Sequence, residues 1–150
     1  MKKQLTLTLL IILVSAFTVF SQDKKDGDAK KSMAYKANPE DVKSIDSILK
    51  ATYDVISGGV GVKRNWNRFR SLFHPSARLT PTGRNPQTGE FGARPLTPQD
   101  YVDRSGKFLV ANGFTEKEIG RSVDRFGNIA QVFSSYEGTF MQNGKPATIR

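Results

Sequence analysis

Residues 65–79 read Asn65-Trp66-Asn67-Arg68-Phe69-Arg70-Ser71-Leu72-Phe73-His74-Pro75-Ser76-Ala77-Arg78-Leu79. Trp66, Phe69, Leu72 and Phe73 recur at i, i+3, i+6 and i+7, the apolar face of a short helix. Asn65 is suited to cap it, because its side-chain oxygen can accept from the first free backbone N–H groups. His74-Pro75 stops the helix, since proline disfavours helical geometry in the residue before it. Ala77-Arg78-Leu79-Thr80 then reads as a strand. A short aromatic helix turning through His-Pro into a strand points to a fold and identifies no reaction.

Upstream, Asn38-Pro39-Glu40-Asp41 has the form of a helix start: a cap, proline at the first helical position, then acids at the positive helix end. Val42, Ile45, Ile48, Leu49, Thr52, Tyr53 and Ile56 follow at spacings of three and four, predicting one amphipathic helix that ends at Ser57-Gly58-Gly59. Gly58-Gly59-Val60-Gly61 follows a helix rather than a strand, so it reads as a cap and linker and not as a phosphate loop. Downstream, Pro81 to Leu96 is dense in proline and glycine and predicts a long loop or ragged hairpin, carrying Arg84, Glu90 and Arg94. Loops of that length in small domains are often functional.

Thr97-Pro98-Gln99-Asp100 opens another helix, with Tyr101, Val102, Ser105, Phe108 and Leu109 on its apolar face and Asn112-Gly113 closing it. From Phe114 the period changes to two: Ile119, Arg121 and Val123 alternate with Glu118, Gly120, Ser122 and Asp124. Turn chemistry at Arg125-Phe126-Gly127-Asn128 leads into a long strand from Ile129 to Met141. Gln142-Asn143-Gly144-Lys145 makes a hairpin turn, the Asn-Gly pair being its strongest short signal. Ala147-Thr148-Ile149-Arg150 begins a further strand. Four residues do not cover a partner that long, so part of its edge is left open. We therefore expect a domain truncated at its C-terminus.

Residues 1–21 have the pattern of a cleaved signal peptide: Lys2 and Lys3, an apolar run from Leu5 to Phe20, and a small residue at Ser21. The run is short for a bilayer-spanning helix, which needs about 20 residues. Export to the periplasm or beyond the cell is the expectation, with no stable membrane span after cleavage. Residues 22–37, polar around Asp23 to Lys31, predict a flexible mature N-terminus.

The chain carries 23 basic and 14 acidic residues. Removing Lys2 and Lys3 leaves 21 basic residues and a net charge of +7. The basic residues are dispersed, with no run of five, which argues against nucleic acid and for solubility or attraction to an anionic cell surface. There is no cysteine, so no disulfide, thiol nucleophile or lipidated cysteine is available. An exported domain of this kind holds itself together by its core. Residues 38–150 suffice for one such domain.

Trp66 to Leu79, together with Phe126-Gly127-Asn128-Ile129-Ala130-Gln131-Val132-Phe133-Ser134-Ser135-Tyr136-Glu137, resembles the nuclear-transport-factor-2-like superfamily, and within it the SnoaL-like exported proteins of bacteria. The likeness spans roughly residues 40–150 and is specific for fold. It implies an α+β fold: a cone-like, strongly bent antiparallel sheet wrapped around about three N-terminal helices, with a mostly apolar pocket inside. It also implies a further long strand at the C-terminal end. Members include ketosteroid isomerases, polyketide cyclases and dehydratases, which work with a carboxylate or histidine base and donors aimed at an enolate oxygen. No complete set of those residues aligns here.

His74, the only histidine, is a candidate for proton transfer and otherwise a helix-ending residue. One histidine is too few for a usual zinc site, so no metal and no cofactor are expected. Tyr53, Trp66, Phe69, His74, Tyr101, Phe108, Phe133 and Tyr136 are the candidates to line a pocket. Such walls suit a small apolar ligand, and the tyrosines can offer it a hydrogen bond. Glu118, Asp124 and Glu137 lie on predicted strands, where an inward carboxylate can act as a base; Arg121 and Arg94 can orient an anionic group. Three functions stay open: binding a small apolar molecule in the cone, an enzyme of isomerase, cyclase or dehydratase type, or a dimerisation or partner-binding module.

Overall fold

The structure, a computed structural model, describes residues 35–150. The expected signal peptide and most of the 22–37 segment lie outside the described residues. The elements are α1 (Pro39–Val42), α2 (Ile45–Ile56), α3 (Trp66–Ser71), β1 (Thr82–Arg84), β2 (Phe91–Ala93), α4 (Pro98–Asn112), β3 (Phe114–Phe126), β4 (Ile129–Gln142) and β5 (Lys145–Ile149). The class is α+β. One antiparallel sheet has the order β3-β4-β5, and β1 and β2 form a separate small hairpin.

The single helix expected from Pro39 to Ile56 is two. Ser44 adopts an extended conformation, and its hydroxyl accepts from the Ser47 N–H at 3.0 Å, capping a new helix. The break leaves Val42 exposed. It also turns Asp41 inward, where its carboxylate takes both forks of Arg68 at 2.8 Å. That pairing holds the Asp41 carboxyl below the usual carboxylate range. The Asn65 cap forms as expected, its side chain accepting from Arg68 N–H at 2.9 Å. The strand expected over Ala77 to Thr80 shrinks to one bridge, Leu79 with Leu96. Thr97 and Asp100 form a reciprocal capping box at the start of α4.

Phe69 lies at the centre of the core with Val55, Ile56 and Leu109, and Trp66, Leu72, Phe73, Leu79, Tyr101, Val102 and Phe114 pack around them. Trp66 meets Phe69 edge-on at 5.8 Å, and Tyr101 stacks on it at 5.2 Å. Arg64 ties this core to the sheet. Only 7% exposed, it donates to the carbonyls of Ile56 (2.8 Å), Gly58 (2.6 Å) and Leu109 (3.0 Å), and to that of Val62. Three of those carbonyls lie at or just beyond the ends of α2 and α4, where helix dipoles are negative and intrahelical donors run out. Gly58 also exchanges backbone bonds with Phe114, joining the exit of α2 to the first residue of β3. A Cβ at Gly58 would stand 2.5 Å from the Arg64 guanidinium, so glycine at this position makes the arginine site.

The sheet turns tightly at both hairpins. Asn143 and Gly144 both take positive φ (52° and 74°), the type I′ signature that the Asn-Gly pair predicts. In β3 the register slips between Glu118 and Gly120, leaving Ile119 without a partner on β4. This bulge corrects the expected alternation. Before it, Phe114, Glu116 and Glu118 face the helices; after it, Arg121 and Val123 do. Glu118 and Arg121, expected on opposite faces, share one.

Candidate functional site

The face of β3 and β4 beneath the helices is read from its cross-strand rows, because directly paired residues point the same way. The rows are Phe114 with Phe140, Glu116 with Gly138, Glu118 with Tyr136, then Arg121 with Ser134 and Val123 with Val132. β5 adds Ile149 beside Gly138 and Ala147 beside Phe140. Helix α2 supplies Tyr53, Ser57 and Asp46 from above; α4 supplies Tyr101 and Phe108.

A continuous polar chain crosses the middle of this face. The Tyr53 and Ser134 hydroxyls are hydrogen-bonded at 2.7 Å, and Ser134 donates to a Glu118 oxygen at 2.7 Å. The other Glu118 oxygen accepts from Arg121 at 2.8 Å, and Arg121 reaches Asp46 on α2 at 2.6 Å. Both Glu118 oxygens are therefore occupied by donors, and the carboxylate serves to hold α2 on the sheet. The bulge at Ile119 makes this geometry, since without it Arg121 would point away.

One row further in, Glu116 is different. Its backbone N–H is fixed by the Ser57 hydroxyl at 2.9 Å, which in turn donates to the Tyr53 carbonyl at 2.7 Å. Among the described residues its carboxyl has no hydrogen-bond partner. Gly138 opposite offers no side chain, and the space a Cβ would take there is closed by Ile149 (3.0 Å) and Phe114 (3.2 Å). Burial among these apolar groups pushes the Glu116 carboxyl up to about 7. The nearby tyrosines respond. Burial, reinforced by Glu116, pushes Tyr101 up to about 12 and raises Tyr136. Both phenols therefore keep their protons near neutral pH and can donate. Tyr53 stands beside Tyr136, ring centroids 6.5 Å apart.

The eight residues expected to line a pocket are thus divided. Tyr101 and Tyr136 stand near Glu116, while Tyr53 lies beside Tyr136 with its hydroxyl on Ser134. Phe69 is packed into the core at 2% exposure, with no free surface to offer a ligand. Trp66 supports Phe69 on one side and on the other lines an open groove with Val102, Gly106 and Val110. Phe108 is half exposed and leans on Phe140 at 5.7 Å. Phe133 stands on the opposite face of the sheet, 73% exposed. His74 is exposed; its Nδ1 pairs with the Ser76 hydroxyl at 2.7 Å and accepts from the Ser76 N–H, closing the turn after α3.

Asp124 and Glu137 fall on the outer face, and Glu137 pairs with Arg150. Glu116 was missed because Glu116-Lys117-Glu118 reads as a solvated charged run. Its spacing of two from Phe114 was the available signal. Among the described residues no three Asp, Glu or His side chains gather as metal ligands would, and no helix is long and apolar enough to cross a membrane. Comparison with protein-family models, with curated proteins and with solved structures finds no match to this chain.

Proposed function

We propose that this chain is an exported domain with the cone-like architecture of the nuclear-transport-factor-2-like superfamily, and that it binds a small, largely apolar molecule over the inner sheet face. The Glu116 carboxyl carries the reading. A half-buried carboxyl with an unused hydrogen-bonding capacity, ringed by apolar groups and two protonated phenols, is suited to hold the one polar end of an otherwise apolar ligand. Near neutral pH it can donate to a ligand carbonyl when protonated or accept from a hydroxyl when ionised.

A second reading rests on the same group. A carboxyl that titrates near 7 is matched to abstracting a proton beside a carbonyl, with a tyrosine O–H stabilising the enolate oxygen. Native mass spectrometry of the protein, purified gently from its own cells, tests the binding reading. The expected result is a retained mass of a few hundred daltons, on the order of a small apolar ligand, reduced in Glu116→Gln and unchanged in His74→Ala. Loss in His74→Ala with retention in Glu116→Gln would move the site away from the inner face.

A further inference from the structure

Outside this face, the β1–β2 hairpin and Arg104 of α4 border an open surface hollow of 620 Å³, with Arg84, Arg94 and Arg104 in its lining and Glu90 the one acid there. The hairpin is internally braced. Asn85 and Glu90 are joined by a backbone bond at 2.8 Å, and Gly89 N–H donates to the Asn85 carbonyl at 2.8 Å with φ +74°. The Asn85 side chain accepts from Gln87 N–H at 2.8 Å. At the base, Arg94 N–H donates to the Pro81 carbonyl at 3.0 Å.

Arg84 is held in place by this frame. Its guanidinium lies 4.3 Å from the centroid of the Phe91 ring and donates once, to the Gly89 carbonyl at 2.8 Å. Its remaining donors are free. Among the described residues the side chains of Arg94 and Arg104 make no hydrogen bond or ion pair. Glu90 engages only Thr88, and the neighbouring Asp100 carboxylate is taken up by Thr97. Three guanidinium groups border one hollow, against Glu90 and an Asp100 carboxylate that also feels Arg94, which leaves the hollow net positive and attractive to anions.

We propose that this hollow is a binding site for a compact, multiply charged oxyanion, a small molecule bearing phosphate or sulfate groups. Planar guanidinium forks match the oxygen spacing of such groups and bind them bidentately. The hollow falls within the about 300–1,000 Å³ usual for small-ligand sites. The stacked, pre-placed Arg84 lowers the ordering cost of binding. The site is separate from Glu116, and its success or failure leaves the inner-face reading untouched.

Calorimetric titration of the full chain with inorganic pyrophosphate at low ionic strength tests it, with a sulfated polysaccharide titrated in parallel to separate polymer-borne groups from free ones. The expected result is saturable pyrophosphate binding that weakens at least about tenfold in Arg94→Ala/Arg104→Ala. All three arginines are exposed, so the melting midpoint is expected to hold. Lys145→Ala, an exposed cation on β5, controls for net charge. Equal weakening in Lys145→Ala, binding of the polymer alone, or silence of the wild type would each overturn the proposal.

Discussion

Arg64→Ala is expected to unfold most of the molecule at 37 °C, or to lower its stability by about 3 kcal/mol or more. The substitution strips donors from the carbonyls of Ile56, Gly58, Val62 and Leu109 at once. The two at the helix ends have no intrahelical donor to turn to. Burial alone works against the guanidinium, drawing its proton affinity down, and the carbonyl cage offsets that cost. Lysine does not replace it, because one ammonium cannot span acceptors on α2, the 58–62 loop and α4. Denaturant unfolding of Arg64→Ala and Arg64→Lys checks this. A loss below about 1 kcal/mol in both would show the cage to be incidental.

Phe69→Ala is expected to cost about 3–5 kcal/mol, and a fall in melting midpoint on the order of 10 °C. Among the described residues Phe69 is the largest fully buried side chain, and it is the point where α3, Tyr101 on α4 and Phe73 meet, at centroid distances of 5.2 Å and 4.8 Å for the last two. Its removal leaves Trp66 and Tyr101 facing a void. Because Tyr101 stands beside Glu116, the variant also loosens one wall of the candidate site. Phe73→Ala, at a partly buried edge, is the milder comparison. Calorimetry or denaturant titration ranks the two, and an equal loss would contradict the central placement of Phe69.

The order of elements was largely legible from residues 65–79 and from the turns. Caps and hairpins are local chemistry: Asn65, Thr97-Asp100 and Asn143-Gly144 each act within a few residues of themselves, so a short window suffices. The break at Ser44 escaped because the apolar stripe runs through it at helical spacing, and a serine cap inside such a stripe competes with continuation on nearly even terms. The bulge at Ile119 escaped for a different reason. It changes the face of every later residue in β3, yet it depends on pairing with β4, which no local pattern encodes.

The site was less legible than the fold. Phe133 and Tyr136 are both aromatic and suit a pocket wall by composition, yet three positions apart on one regular strand they point to opposite faces. Glu116 was hidden in a charged run, while Glu118, an apparent base, has its oxygens already engaged by Ser134 and Arg121. What separates the two carboxyls is tertiary: one has donors within reach and the other has Phe114, Gly138 and Ile149.

The raised Glu116 titration has a thermodynamic consequence. The native state holds this proton more tightly than the unfolded chain, whose carboxyl titrates near 4.5. The associated stability is complete below that value and is lost as pH rises through about 7. Partial access to water moderates its size.

The most direct measurement is a carbon-13 NMR titration of the glutamate side-chain carboxyls, with Glu116→Gln used to assign the resonance. One carboxyl is expected to titrate with a midpoint near 7 and to disappear in the variant. A Glu116 midpoint near 4.5 would mean an ordinary solvated carboxylate, and would remove the group on which the inner-face site depends.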